Sequence, residues 1–284
     1  MKSSVSEVLS AGRRYLEKYG IEDAFESSEQ LLSHALGEEK YSLYLGFEST
    51  LAEEKKSRFF ELLKQRAERY PIQYLIGSVP FRAVGLKVEA GVFIPRPETE
   101  GLVDVVLSRI CESEIANPAI IDVGTGTGAI AVSLAFEIPK ATIVATDQSS
   151  ISVRLAGQNA ARNGVCERIK LIETNYWDGI LERFDCLVSN PPYLTKKELT
   201  ELQPEIDFEP KKALDGGEDG FQSYRFMIES AQSILKPAGI VCFEVGFGQA
   251  GRVEDLFKKN GFCDIQKTKD LAGIERIVSA CLAG

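Results

Sequence analysis

Residues 120–135 read IIDVGTGTGAIAVSLA: a short apolar strand, a turn with glycine at every second position, and an apolar helix. In such a turn Gly124, Gly126 and Gly128, with Thr125 and Thr127 between them, bring the backbone close to a ligand at the N-terminus of the following helix. Asp147 ends the next apolar run, TIVATD (142–147), about 20 residues on, where an acidic side chain can accept hydrogen bonds from both hydroxyls of a ribose. The loop therefore reads as a nucleoside-cofactor site. Taken as G-x-G-x-x-A through Ala129 it also fits a dinucleotide fingerprint, so spacing alone leaves the cofactor open. A glycine turn serving only to join strand and helix is the competing reading, and the acid at 147 argues against it.

Outward from this unit the chain alternates regularly. Apolar runs at 119–124 (AIIDVG), 142–147, 169–174 (IKLIET), 185–190 (DCLVSN) and 239–246 (GIVCFEVG) are separated by helical stretches at 129–138, 152–164 and 224–236. That alternation is the pattern of a doubly wound parallel α/β sheet. After a further helix at 250–260, the runs CDIQKTKD (263–270) and ERIVSACL (275–282) are close enough in sequence to pair as a terminal antiparallel hairpin. Five core strands with this hairpin, and Asp122 two residues before the first glycine, fit an S-adenosyl-L-methionine-dependent methyltransferase better than a dinucleotide enzyme. No repeat or low-complexity segment interrupts the pattern. The long irregular stretch 195–220 (TKKELTELQPEIDFEPKKALDGGEDG) has a length usually associated with function or mobility.

Upstream the composition changes. Residues 4–19 place Val5, Val8, Leu9, Tyr15, Leu16 and Tyr19 at helical spacing, and Gly20 suits the end of that helix. Further helices are expected at SEQLLSHALG (28–37), EKYSLYLG (39–46) and EEKKSRFFELLKQRAERY (53–70), the last stopping before Pro71. Residues 1–76 thus form a small helical bundle, residues 77–98 a hairpin linker, and residues 99–284 the sheet domain. The lone histidine, His34, stands among Leu31, Leu32 and Leu36 and reads as structural.

Composition narrows the function. The 284 residues, 44% hydrophobic and 26% charged, suffice for two domains. The N-terminus has no signal-peptide run and no stretch approaches the roughly 20 apolar residues that span a bilayer, so a soluble cytoplasmic protein is expected, without membrane partners and as a monomer. Six scattered cysteines without a C-x-x-C pair suggest neither a disulfide framework nor a metal site. The net charge of −9 opposes attraction to nucleic acid phosphate.

The motif SNPPY (189–193) follows the fourth strand of the sheet. Pro191 and Pro192 cannot continue a strand ladder, so Asn190 and Tyr193 are displayed on a stiff backbone at a strand's C-terminal end. In a doubly wound sheet that end lies beside the end of the first strand, so GTGTG and NPPY converge. A strand terminator with a capping asparagine is the competing reading. In TNYWDG (174–179), after the third strand, Tyr176 and Trp177 are candidates for contact with an adenine ring. Arg96 and Glu98 in IPRPETE and Glu244 in EVG are read as shaping the floor of the site, with structural ion pairs as the alternative.

These motifs carry a family resemblance. NPPY resembles that of methyltransferases acting on planar nitrogens, in adenine or in glutamine amides. FIPRPETE, DVGTGTGAIA, SNPPY, ALDGGEDG, EVGFGQ and DLAGIERIV together resemble the peptide chain release factor glutamine N5-methyltransferases, the PrmC/HemK family, along nearly the whole chain. The resemblance implies a class I, seven-stranded methyltransferase sheet behind an N-terminal helical domain that recognises substrate. It implies transfer of a methyl group from S-adenosyl-L-methionine to the glutamine of the Gly-Gly-Gln motif in release factors. It makes Tyr176 the adenine-contacting aromatic, with Trp177 its rival, counts Asn190 among the cofactor contacts as well, and leaves Asn175 where many relatives carry an acid. At the reacting centre Asn190 would accept one amide N–H through its side-chain oxygen and Pro191 the other through its carbonyl, while Pro192 stiffens the backbone and Tyr193 packs against the planar amide. Two other functions use the same residues: an N6-adenine nucleic acid methyltransferase, disfavoured by the charge, and a non-catalytic cofactor-binding adaptor, disfavoured by the intact motifs.

Overall fold

A computed structural model describes residues 3–283. The chain divides into two compact units, one running to Ser78 and taking in Gln203–Phe208, the other comprising Val79–Leu202 and the residues from Glu209 onward. The first unit is helical: α1 (Val5–Lys18), α2 (Ala24–Leu36), α3 (Ser42–Leu45), α4 (Glu53–Ala67) and α5 (Ile72–Ile76). Helix α1 begins with a capping box, in which the Ser4 hydroxyl accepts from the Glu7 amide and the Glu7 carboxylate accepts from the Ser4 amide. Leu16, Leu31, Leu32, Phe59 and Leu63 form its fully buried centre. His34 lies within this unit, hydrogen-bonded to Arg58 at 3.3 Å. Gln203–Phe208 joins it through Glu205, which accepts from Arg66 at 2.8 Å and Arg69 at 3.3 Å, and through Phe208, edge-on to Tyr70. Sequence reasoning places that segment in the sheet domain, because ion pairs between residues more than a hundred positions apart leave no local signal.

The second unit opens at Val79, within a two-stranded ribbon, β1 (Ser78–Phe81) and β2 (Val84–Lys87), followed by α6 (Thr99–Glu112). The ribbon is more than a linker: Phe81, Val84 and Leu86 are buried in the same core cluster as Leu102 and Val106 of α6. Then come β3 (Ala119–Val123), α7 (Ala129–Glu137), β4 (Thr142–Asp147), α8 (Ser150–Arg162), β5 (Ile169–Glu173), β6 (Phe184–Ser189), α9 (Gln222–Ser230), β7 (Leu235–Glu244), α10 (Ala250–Lys259), β8 (Phe262–Lys269) and β9 (Glu275–Leu282). They form a seven-stranded sheet of order β5-β4-β3-β6-β7-β9-β8, parallel except for the pairings of β9 with β7 and β8.

Successive strand side chains point to opposite faces, and both faces are covered. Ile120, Ile143 and Val188 pack with α6, α7 and α8 on one side, whereas Ile121, Val144 and Leu187 pack with α9 and α10 on the other. The expected helix over 224–236 ends earlier, at Ser230, and Leu235 already starts β7. Pro237 cannot sit in a helix interior, and Ala238 adopts φ 58°. Among the described residues no helix is long and apolar enough to cross a membrane.

Candidate active site

Strand β3 lies between β4 and β6, so the chain leaves it in opposite directions on either side, and the crevice at such a switch point is where α/β sheets bind ligands. The register Asp122↔Val188 brings the ends of β3 and β6 level, and the buried Ser189 hydroxyl donates to the Val123 carbonyl at 2.6 Å. GTGTG and NPPY thereby face one cavity of about 540 Å³, within the range of small-molecule sites. Gly124, Thr125, Gly126, Thr127, Asp147, Tyr176, Asn190, Pro191, Pro192 and Tyr193 all line it.

Asp147 is the polar centre of the cofactor half. Its two oxygens accept the amides of Gly126 and Ser149, each at 2.9 Å. Burial raises its carboxyl above the ordinary value, against hydrogen bonding by the amides of Gly126, Ser149 and Gln148 and the Ser152 side chain, which lowers it. Vicinal hydroxyls would take the acceptor positions that Ser152 and Gln148 approach, without releasing the glycine loop. Behind the loop Asp122 is fully buried, accepts the Thr125 hydroxyl at 2.6 Å, and is pushed up to about 7 by burial.

Two expected cofactor residues lie elsewhere. Gly128, at φ 82°, is pressed against α8: a Cβ there would stand 3.1 Å from that of Ala156, so this glycine serves helix packing. Trp177 is buried in the core beneath α9 and does not line the cavity. Tyr176 has a left-handed backbone, φ 52°, and its ring meets that of Trp177 edge-on at 6.2 Å. Tyr176 faces the cavity with its ring stacked on Phe226 at 4.1 Å and its hydroxyl 3.3 Å from that of Ser223, and Asn175 lines the cavity beside it.

The acceptor half is built around Asn190 and Tyr193. Asn190 Nδ2 donates to the hydroxyl of Thr99, the first residue of α6, at 3.1 Å, which leaves the amide oxygen as its accepting end. Tyr193 is held by two segments. Gln249 Nε2 donates to its carbonyl at 2.9 Å, and Leu194 exchanges backbone bonds with Leu214 and Gly216. A Cβ on Gly216 would fall 2.8 Å from the Tyr193 backbone, and one on Gly246 would fall 2.9 Å from its ring. ALDGGEDG and EVGFGQ thus share one task, packing backbone against Tyr193, and only glycine permits that approach. Burial raises the Tyr193 phenol, so it stays neutral.

Arg96 is paired with the buried Glu209, which also accepts the Ile94 amide at 3.2 Å, and its guanidinium lies over the Phe93 ring. This is the structural alternative, fastening FIPRP to the segment after Phe208. Glu98 precedes the first turn of α6 without capping it. Glu244 is only 3% exposed, behind Thr99 and Asn190; its Oε2 has no partner among the described residues. Burial pushes its carboxyl up to about 7, against hydrogen bonding by Thr99 and Asn190. Thr99 and Gln249 were invisible as site residues in the sequence, although both lie inside quoted motifs. No cluster of three or more His, Cys, Asp or Glu side chains suited to a metal occurs among the described residues.

The N-terminal domain of PrmC matches residues 7–77, and the methyltransferase small domain matches residues 86–218. The chain is 39% identical to the release factor glutamine methyltransferase of Geobacter sulfurreducens over 97% of this chain and 95% of that one. It is 36% identical to the protein of that name from Moorella thermoacetica, over 96% of each. The chain belongs to the release factor glutamine methyltransferase family. Its fold is shared more widely: a T. thermophilus 16S rRNA N2 G1207 methyltransferase, solved with AdoMet and guanosine, superposes with a TM-score of 0.53 at 16% identity over 72% of this chain and 49% of that one. Family membership and the cavity agree in kind. A glycine loop, a doubly accepting carboxylate and an aromatic wall suit the ribose and adenine of S-adenosyl-L-methionine, and Asn190 lines the same cavity.

Proposed function

We propose that this protein methylates the side-chain amide nitrogen of the glutamine in the Gly-Gly-Gln motif of peptide chain release factors. The observation that carries this is the Asn190 amide, whose nitrogen is committed to Thr99 so that its oxygen is free to accept. Bound in the cavity, S-adenosyl-L-methionine supplies an electrophilic methyl group on a sulfonium. Gly124, Thr125, Gly126 and Thr127 would cradle it, Asp147 would accept its ribose hydroxyls, and Tyr176 would hold its adenine.

An amide nitrogen is a weak nucleophile because its lone pair is shared with the carbonyl, so positioning must supply much of the rate. Asn190 Oδ1 accepts one N–H of the substrate amide and the Pro191 carbonyl accepts the other, aiming the nitrogen's remaining direction at the methyl group. Pro192 keeps the two acceptors stiff, and the neutral Tyr193 ring packs against the amide plane. As positive charge develops on nitrogen it meets oxygen dipoles already in place. The N-methylated cation then loses its proton to water, and no general base is needed.

The protein acts here as a cytoplasmic monomer on a protein substrate without direct contact to nucleic acid, in keeping with its net charge of −9. Residues 1–76 serve substrate recognition. Incubation with methyl-labelled cofactor and a release factor, followed by peptide mapping, is expected to place one label on the Gly-Gly-Gln glutamine. Asn190→Ala should lower turnover by about 10²–10³ with cofactor affinity changed only a few-fold. Label on adenine in nucleic acid, or an Asn190→Ala variant working at the parent rate, would refute the assignment.

A further inference from the structure

A primary amide is nearly symmetric in shape, and turning it by 180° exchanges its oxygen and its NH₂ group. Asn190 can hold a substrate amide only with the oxygen forward, because the flipped side chain sets donor against donor. The site therefore needs something that distinguishes the two ends. We propose that Thr99 and Glu244 are positioning residues that fix Asn190 with its oxygen toward the substrate. This rests on the amide clamp described above.

The placement follows from sheet register and one helix. Ser189 pairs with Phe243 between the parallel strands β6 and β7, so the next residues, Asn190 and Glu244, emerge abreast at the strand ends. Thr99 meets them from the start of α6, and both Thr99 and Glu244 are only 3% exposed. Asn190 Nδ2 donates to the Thr99 hydroxyl oxygen at 3.1 Å. That hydroxyl has one proton of its own, and the Glu244 carboxylate beside it is a pure acceptor. The network then has one direction: Glu244 accepts from Thr99 and from Asn190, and Asn190 also donates to Thr99.

Flipping Asn190 would bring its oxygen against the Thr99 oxygen. Turning the Thr99 proton away from Glu244 would relieve that clash, but the flipped oxygen would also face the carboxylate, which would then have lost both Thr99 and Asn190 as donors. Protonation of Glu244 has a related effect, since a carboxylic acid can donate and no longer dictates the direction. The charged and titratable groups facing Glu244 are Glu98, which raises its pKa, Arg276, which lowers it, and the phenols of Tyr193 and Tyr224. Burial outweighs them and pushes the carboxyl up to about 7, so the direction weakens below neutral pH.

The test compares single-turnover methylation of a release factor by the full chain with saturating S-adenosyl-L-methionine, measuring KM and cofactor affinity alongside. Thr99→Val keeps the shape and removes the hydroxyl. It is expected to slow methyl transfer by about 10- to 100-fold, with KM and cofactor affinity within about threefold, and Thr99→Ser should rescue most of the rate. In the parent the rate should fall as pH drops below 7, and Glu244→Gln should both slow the reaction and flatten that limb. Thr99→Val transferring methyl at the parent rate would overturn the proposal, as would a slowing matched by an equal loss of cofactor affinity. If Thr99→Val does not fold, Glu244→Gln decides, and a parent-like rate and pH profile in that variant overturns it. An inactive Asn190→Ala beside parent-like Thr99→Val and Glu244→Gln would sink this inference alone, whereas a fully active Asn190→Ala would sink the amide clamp itself.

Discussion

Removing the Asp147 carboxylate should weaken cofactor binding far more than it slows methyl transfer at saturation. Both of its oxygens already accept a backbone amide at 2.9 Å, and the carboxylate lines the cavity. Two ribose hydroxyls donating to an ionised acceptor contribute about 1.5–3 kcal/mol each. Water filling the space left by alanine, and the cost of keeping a buried carboxylate ionised, reduce that total. The net loss expected for Asp147→Ala is about 2–4 kcal/mol, or roughly 30- to 1,000-fold in Kd. Asp147→Asn should be little better despite its equal size, because its NH₂ group must confront the amide of Gly126 or of Ser149, donor against donor. Isothermal titration of S-adenosyl-L-methionine into parent and variants, with melting curves to establish folding, measures the effect. A folded Asp147→Ala protein that binds within threefold of the parent would show that the ribose is held elsewhere.

Two further outcomes follow from the packing and the buried charge. A Cβ on Gly220 would lie 2.5 Å from the Tyr193 carbonyl at a backbone φ of 76°, so Gly220→Ala should cost about 1–3 kcal/mol in denaturant unfolding and slow turnover by displacing NPPY; parent-like values for both would refute the packing role. Glu244 has its folded-state pKa raised to about 7 from an ordinary 4.5, so the native state gains a proton between those values, and the associated stability is present below 4.5 and lost as pH rises through 7. Glu244→Gln carries no charge to bury, and its melting temperature relative to the parent should therefore climb by several degrees between pH 5 and pH 8.5; a difference independent of pH would contradict the buried ionisation.

How much was legible before folding is best judged from particular residues. Short continuous apolar runs separated by helical ones specify β3 to β7 because these strands must cover two faces, a constraint written locally in Ile120 and Ile121 or Leu187 and Val188. The glycine loop, Asp147 and NPPY were equally plain, since each needs a residue type that few other roles require at that spacing. The convergence of two motifs more than sixty residues apart also followed, from the topology of a doubly wound sheet.

Tertiary structure alone decided which neighbours matter. Tyr176 lines the cavity while Trp177, touching it edge-on, is buried, and the work of Gly128 turned on the approach of Ala156, and neither is encoded nearby. Gln203–Phe208 joined the helical unit through Arg66, Arg69 and Tyr70, far away in sequence. Thr99, Asn190 and Glu244 come from a helix start and two strand ends, and no periodicity can announce that they touch. Local pattern fixes which face of an element is apolar, because burial is a property of one element against any core. Which polar groups meet depends on register and crossing geometry, and these exist only once the elements have packed.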